Sequence, residues 1–414
     1  MRQPVIVAGA RTPIGRLLGS LSPLSAPELG GWAIGAALER AGITGDQADA
    51  VIMGQVVQAG AGPNPARLAA AAGGVPMSVP ATTVNKACLS GLAAIAQAAQ
   101  QIATGQSEVV VAGGMESMSN APHLLPGARR GTRYGAAVLM DALDRDALIC
   151  GFEGISMGAA TDRDQARFGI ARPDQDAFAA ESHARASAAI KAGRLAEEIV
   201  PVTVSGRGGD VLVEDDEGVR PDTTLERLAT LPPAFSEGVA ITAGSASQLS
   251  DGACAVVVMD SERAARMGLP ILAEIGAYGT VAGPDTSLLL QPANAIRDAL
   301  RRDGALGVSD LDLIEINEAF AAVALASARD LGVPLDRVNV NGGAIALGHP
   351  VGMSAARLTL TLALELRRRG GGTGAVALCG AGGMGDALII RAVKLARNGG
   401  NVAREARREA SQGV

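Results

Sequence analysis

The sequence predicts an α/β protein of two similar βαβ-rich halves stacked back to back, with a loop domain inserted after the first. Three observations lead there. Short β-branched runs alternate with helical periods through residues 1–118 and again from about 241, the pattern of a mostly parallel sheet covered by helices. The order of features also repeats. Strand, Asn85, loop, helix, strand and Gly113-Gly-Met115 recur as strand, Asn341, a longer loop, helix, strand and Gly382-Gly-Met384. Between the halves, residues 119–240 lose the alternation. The resulting division is 1–118 completed by 241–267, an insertion at 119–240, a second half at 268–392, and a charged tail at 393–414 expected to lack order.

The elements follow in order. Residues 5–8 read as a strand that turns through Gly9-Ala-Arg-Thr-Pro-Ile-Gly15. Ser25-Ala-Pro27 opens a helix that stops at Gly42. Residues 50–53 form a strand, 66–72 a short helix, and 79–84 a short buried strand. Leu89, Leu92, Ile95, Ala99 and Ile102 then recur at helical spacing. Residues 109–112 form a further strand. In the insertion, 174–192 is a clear helix bounded by Pro173 and Gly193, and 205–220 is charged, Gly-rich loop. After it come strands at 255–259, 313–316, 338–340, 375–378 and 388–392, with helices at 295–300, 320–331 and 354–369.

Composition narrows the function. Aromatic residues make up only 2% of the 414, so Ala, Val, Leu and Ile must fill the core. A net charge of -6 argues against general nucleic-acid binding. The N-terminus runs straight into a strand pattern, and no apolar run reaches membrane-spanning length. The four cysteines (Cys88, Cys150, Cys254, Cys379) show neither C-x-x-C nor zinc spacing. Together these point to a cytoplasmic protein with reduced thiols and no metal.

Cys88 sits where a strand turns into a helix N-terminus. Free N–H groups and the helix dipole there favour a thiolate, the nucleophilic form; an inert buried thiol is the alternative. Of three histidines, His123 and His183 read as surface residues. His349, held in Leu347-Gly-His-Pro-Val-Gly352, reads as an acid/base. Cys379 opens a Gly-rich turn whose N–H groups suit an oxyanion. Asn317-Glu318 at a strand end suits a bound water, an orienting contact to His349, or a helix cap.

These blocks resemble the thiolase family: Asn85-Lys-Ala-Cys-Leu-Ser-Gly91, Gly113-Gly-Met-Glu-Ser-Met118, Asn317-Glu-Ala-Phe320, Asn339-Val-Asn-Gly-Gly-Ala-Ile-Ala-Leu-Gly-His-Pro350 and Cys379-Gly-Ala-Gly-Gly-Met-Gly385. They stand in family order over nearly the whole chain. Gly54-Gln-Val-Val-Gln-Ala-Gly-Ala-Gly62 and Pro65-Ala-Arg67 look more like the biosynthetic, acetoacetyl-CoA-forming branch than the long-chain degradative one. The resemblance implies a layered α/β/α/β/α core and a homotetramer. It implies acetyl-CoA, acetoacetyl-CoA and CoA as substrates, with no cofactor. It makes Cys88 the acyl-accepting nucleophile, His349 its base, and Cys379 the acid/base of the second half-reaction. Asn317 would hold a water, and the N–H groups of Cys88 and Ala381 would form an oxyanion hole. Arg220, Ser247, Met157, Phe235, Ala319 and Phe320 match positions that meet CoA or the acyl group.

The chain departs from the biosynthetic pattern at three places: Ser156 where many members have His, Thr286-Ser-Leu-Leu-Leu-Gln-Pro292, and Thr161-Asp-Arg163. All fall near the acyl and pantetheine positions, and Leu288 to Leu290 are expected to reshape the wall. The rivals are a 3-ketoacyl-CoA thiolase for longer chains and a non-catalytic acyl-CoA-binding protein. A decarboxylating ketosynthase fits less well, since that chemistry usually uses His or Asn where Cys379 stands.

Overall fold

A computed structural model describes residues 2–206, 208–235 and 239–392. The tail at 393–414 lies outside these residues. In the first half, β1 (Pro4–Arg11) leads into α1 (Ala26–Ala41). Ser25 caps α1 in a reciprocal box with Glu28, and Gly42 ends it at φ +68°. β2 (Ala50–Gly54), α2 (Pro65–Ala72), β3 (Ala81–Val84), α3 (Ser90–Thr104) and β4 (Val109–Ser117) follow. The insertion carries α4 (Met157–Gln165) and α5 (Arg172–Lys191) before β5 (Ser250–Asp260). The second half is β6 (Ala273–Ala282), α6 (Gln291–Asp303), β7 (Leu313–Ile316), α7 (Ala321–Leu331), α8 (Ser354–Arg368), β8 (Gly372–Gly380) and β9 (Met384–Ala392).

The strands run in the order β7-β8-β9-β6-β1-β5-β4-β2-β3, with a two-residue strand, Gly15–Arg16, beside β5. Within the sheet, the two halves join through Val5–Glu274 and Ile6–Ala273 between β1 and β6. The sheet is mixed, which corrects the mostly parallel expectation. Only β2–β3, β2–β4 and β7–β8 are parallel. Helical crossovers give those pairs, whereas a hairpin (β8–β9) and the long insertion (β4 to β5) return the chain antiparallel.

Alternation along each strand sorts the core into layers. On β5, Val256 and Val258 join α3 and α8, whereas Val257 and Met259 join α1 and α2. On β8, Val376 and Leu378 face α3 and α8, while Ala375 and Ala377 face α6 and α7. The layers are therefore α/β/α/β/α, with α3 and α8 in the middle. Leu358, Leu360, Leu362 and Leu366 of α8 are all buried there. Truncating any one of them to Ala costs about 2–5 kcal/mol.

Several local expectations change. β3 lies at the sheet edge and is half-buried, not buried. Residues 338–340 make only a bridge from Ile314 to Val338, because Asn339 turns left-handed at φ +49°. Two antiparallel strands, Val202–Gly206 and Gly209–Val213, overlap the charged 205–220 stretch. Asp216 from the same stretch is buried against Arg11 at 2.7 and 2.9 Å, anchoring the insertion to β1. Among the described residues, no helix is long and apolar enough to cross a membrane.

Candidate active site

Cys88 stands in a tight turn between β3 and α3. Asn85 Oδ1 accepts the Ala87 N–H at 3.0 Å. Ser90 Oγ accepts the Lys86 N–H at 2.8 Å and donates to Ala87 O at 2.6 Å. These bonds hold Ala87 at φ +51°, a strained conformation for a residue with a Cβ. Lys86 then reaches across the halves to the buried Asp386 of β9, at 2.6 and 2.9 Å.

His349 precedes α8 and follows Gly348. Gly348 adopts φ +111°, and a Cβ there would meet Ser250 Oγ at 2.3 Å. The His349 N–H donates to Gln248 O at 3.0 Å. Its Nδ1 lies 2.6 Å from Ser354 Oγ and its Nε2 3.4 Å from Asn317 Nδ2. Asn317 directly follows β7 and is fully buried against His349; Phe320, not Asn317, occupies the α7 N-cap. Glu318 instead accepts the Ile345 N–H at 3.0 Å and the Ser182 hydroxyl at 2.7 Å, pinning the loop that leads to His349. Cys379 is the penultimate residue of β8, paired with Gly385. At Gly114 of β4 a Cβ would meet Gly352 O at 1.9 Å, so the bare backbone lets the His349 loop settle on β4.

A cavity of about 280 Å³ is lined by Cys88, His349, Cys379 and Ala381 together. Ala381 follows the last β8–β9 ladder pair, Gly380–Met384, so its N–H belongs to no ladder. Ser247, Met157, Phe235, Ala319 and Phe320 also line the cavity. Ser247 N–H donates to Ala319 O at 3.0 Å, and Phe235 meets Phe320 edge to face at 6.4 Å. Arg220 lies outside the lining: its side chain is exposed, and its N–H donates to His183 Nδ1 at 3.1 Å. His183 is accordingly buried, not a surface residue, because the 218–224 segment covers it; His123 is exposed.

Of the three departures, Ser156 lines the cavity and caps α4 through the Ala159 N–H at 3.1 Å. Of Leu288 to Leu290 only Leu288 faces the cavity; Leu289 and Leu290 pack into the core beside α6 and α7. Asp162 turns away and accepts the N–H groups of 239–241. Met118 and Val351 of the lining sit inside motifs without being marked by them, and Leu148 and Ser354 carry no motif at all. A Ser five residues past a loop histidine, at the start of a helix, was the available signal for Ser354.

Electrostatics refine the chemistry. Burial pushes the Cys88 thiol up to about 12. Burial therefore outweighs the pull of the helix terminus toward a thiolate. The Leu89 and Ser90 N–H groups are taken by Lys86 O and Ala87 O, leaving the sulfur its own Cys88 N–H. Burial raises Cys379 further, with Cys88 nearby adding to the effect. Burial, then Arg357, lowers His349 to about 3. At neutral pH the site holds two thiols and a neutral imidazole. Among the described residues, no group of three or more His, Cys, Asp or Glu side chains is arranged to hold a metal ion.

The sequence matches the family model for the thiolase N-terminal domain over residues 4–262 and that for the thiolase C-terminal domain over 269–392. It is 56% identical over 388 residues to a probable acetyl-CoA acetyltransferase of Mycolicibacterium smegmatis, covering 94% of this chain and 100% of that one. An acetyl-CoA acetyltransferase of Pseudomonas aeruginosa is 48% identical over 392 residues, 94% of this chain and 99% of the relative. A probable acetyl-CoA acyltransferase of Staphylococcus epidermidis is 44% identical over 391 residues, again 94% and 99%. Fold, cavity and sequence agree, and the chain belongs to the thiolase family of acyltransferases.

Proposed function

We propose that the chain is an acetyl-CoA C-acetyltransferase, interconverting two acetyl-CoA with acetoacetyl-CoA plus CoA through an acetyl group carried on Cys88. The observation that carries this reading is the convergence of Cys88, His349 and Cys379, from three separate elements, on one apolar cavity. Sγ of Cys88 attacks the thioester carbonyl while His349 Nε2 takes its proton, and His349 returns that proton to the departing CoA sulfur. Because neither group is ionised at rest, proton transfer accompanies C–S bond formation. Cys379 then gives its thiol proton to His349 Nε2, and the thiolate so formed removes a proton from the methyl carbon of a second acetyl-CoA. The resulting carbanion attacks the acetyl-Cys88 carbonyl, releasing acetoacetyl-CoA and the Cys88 thiolate, which takes its proton back from His349. The N–H groups of Cys88 and Ala381 stabilise the carbonyl oxygen of the acyl-enzyme. The thioester already acidifies its α-carbon, so the reaction calls for no metal or redox cofactor.

The names of the relatives support acetyl transfer, although one is called an acyltransferase. Longer-chain thiolysis has one observation in its favour, the altered wall at Ser156 and Leu288. The deciding assay is CoA-dependent loss of acetoacetyl-CoA in wild type and Cys88→Ser, with a medium-chain 3-ketoacyl-CoA in competition. The reading expects turnover in wild type and a loss of at least about 10³-fold in the variant. A strong medium-chain preference would move the assignment to the longer-chain thiolase. Intact mass after exposure to acetyl-CoA tests for mere binding, since a binder would gain no acetyl group.

A further inference from the structure

His349 has two ring nitrogens, and their surroundings differ. Nδ1 lies 2.6 Å from Ser354 Oγ. The Ser354 hydroxyl donates its one hydrogen to Pro350 O at 2.9 Å. With that hydrogen on Pro350 O, Ser354 Oγ accepts from the ring and Nδ1 carries the proton, whereas a hydroxyl turned to Nδ1 would leave the proton on Nε2. On the other side, the Asn317 amide nitrogen lies 3.4 Å from Nε2, a donor facing a lone pair. The chain Nδ1–H to Ser354 to Pro350 O closes within one turn at the start of α8. All four residues are buried.

We propose that Ser354 is a positioning residue that locks His349 in the Nδ1–H tautomer, so that the Nε2 lone pair faces the cavity to receive the Cys88 proton. This rests on the acyl-transfer reading for its consequence but not for its geometry. Without Ser354 the ring loses the acceptor that selects its tautomer and its χ2 angle. The Nε2–H form presents a donor where the reaction needs a base. Ser354 does not touch the reacting atoms and acts only through His349.

The chain's three histidines make the tautomer directly readable. His183 accepts the Arg220 N–H at Nδ1, so it is the opposite, Nε2–H tautomer. His123 is exposed. Burial lowers His349 to about 3 and His183 to about 4, so both rings are neutral at pH 7. Solid-state ¹⁵N spectra of full-length, ¹⁵N-histidine-labelled protein separate protonated from bare ring nitrogens whatever the assembly size. His123→Gln and His183→Gln complete the assignment.

The wild type is expected to show Nδ1–H for His349. Ser354→Ala is expected to lose that signature and slow acetylation of Cys88 by on the order of 10- to 100-fold. Ser354→Thr keeps the hydroxyl and is expected to restore both. An Nε2–H signal for His349 in wild type, or Ser354→Ala acetylating at the wild-type rate, overturns the proposal. The wild-type spectrum needs neither a variant nor substrate. A wild type that carries Nδ1–H yet does not turn over therefore counts against the acyl-transfer reading and leaves the tautomer assignment standing.

Discussion

The two halves place different chemistry at matching positions of one scaffold. In each, a loop enters a helix of the middle layer: the loop before α3 carries Cys88 and the loop before α8 carries His349. The strand registers extend the match. Gly54 pairs with Gly114 in the first half and Ile316 with Ala377 in the second. One residue on stand Gln55 and Asn317; two residues past Gly114 and Ala377 stand Glu116 and Cys379. Across the next strand Glu116 pairs with Gly252 and Cys379 with Gly385. Cys379 faces the cavity, whereas Glu116 accepts the N–H groups of Val56, Val57 and Gly352 at 2.9, 3.2 and 3.0 Å. In the proposed mechanism one half thus supplies the nucleophile and the other its base and a second thiol, while Glu116 of the first half only holds backbone N–H groups. Stacking two similar halves puts matching strand and helix ends in equivalent places without requiring that they do the same job.

The sharpest way to break this comparison is to remove Cys379. If the division of labour holds, Cys379→Ala still gains an acetyl group on Cys88, seen by intact mass, while overall turnover falls by about 10³-fold or more. Failure to acetylate would give Cys379 a part in the first half-reaction; undiminished turnover would leave it none at all.

A second test concerns the tie between the halves. Asp386 is fully buried, and Lys86, two residues before Cys88, is its cationic partner. Lys86→Met leaves a buried carboxylate without a counter-charge, which costs about 3 kcal/mol. Urea unfolding of Lys86→Met beside Lys86→Met/Asp386→Asn measures this. The double variant should recover part of the loss, since its buried group is neutral. Equal losses in both would make Lys86 a packing residue.

Much of this was legible in the sequence, and the reasons differ by element. Periodicity is local, so β1, α1, α3 and α5 fall within a few residues of their expected bounds. The Cys88, His349 and Cys379 motifs stood out because Gly and Pro mark unusual backbone. Sheet direction did not, because it depends on whether the chain returns by a helix or a hairpin, and the β8–β9 turn hides within a Gly-rich motif. Leu289 and Leu290 look like pocket residues beside Leu288, yet one helix entry turns them into the core. The Cys88 ionisation was misjudged because helix-end N–H groups are visible in sequence, whereas the burial that outweighs them is not. His183 was misread for the same reason, since the segment covering it lies nearly 40 residues away along the chain.

A smaller effect is expected at Leu288, which lines the cavity from the second half, facing Met157 of the insertion. Leu288→Ala enlarges the wall by about three methylene-sized groups. It should shift the ratio of medium-chain to acetoacetyl-CoA thiolysis by roughly 3- to 10-fold, within what apolar pockets discriminate. An unchanged ratio would place the acyl limit elsewhere, with Ser156 next in line.

The smallest expected change is in the pH profile, and it separates the two halves once more. His349 is lowered to about 3 and Cys88 raised to about 12, both chiefly by burial, so neither titrates between roughly pH 5 and 9. On the acid side kcat/KM should stay flat until the protein itself fails. Glu116 is different: burial raises it to about 8 against the pull of its three N–H donors. Its folded value lies above the unfolded one, near 4.3. The native state therefore binds more protons between those limits, and its stability falls as pH rises through that window. The loop at Gly352 would feel the new charge first, so a shallow alkaline decline near pH 8 should belong to Glu116. Glu116→Gln keeps an acceptor oxygen and cannot ionise. It should abolish that decline and flatten the fall in melting temperature from pH 5 to 9, while leaving the rate at pH 6 within about 3-fold of wild type. A decline that persists in Glu116→Gln would return the alkaline limb to the thiols, and the structural carboxylate of the first half would lose its place as the partner of Cys379 in the second.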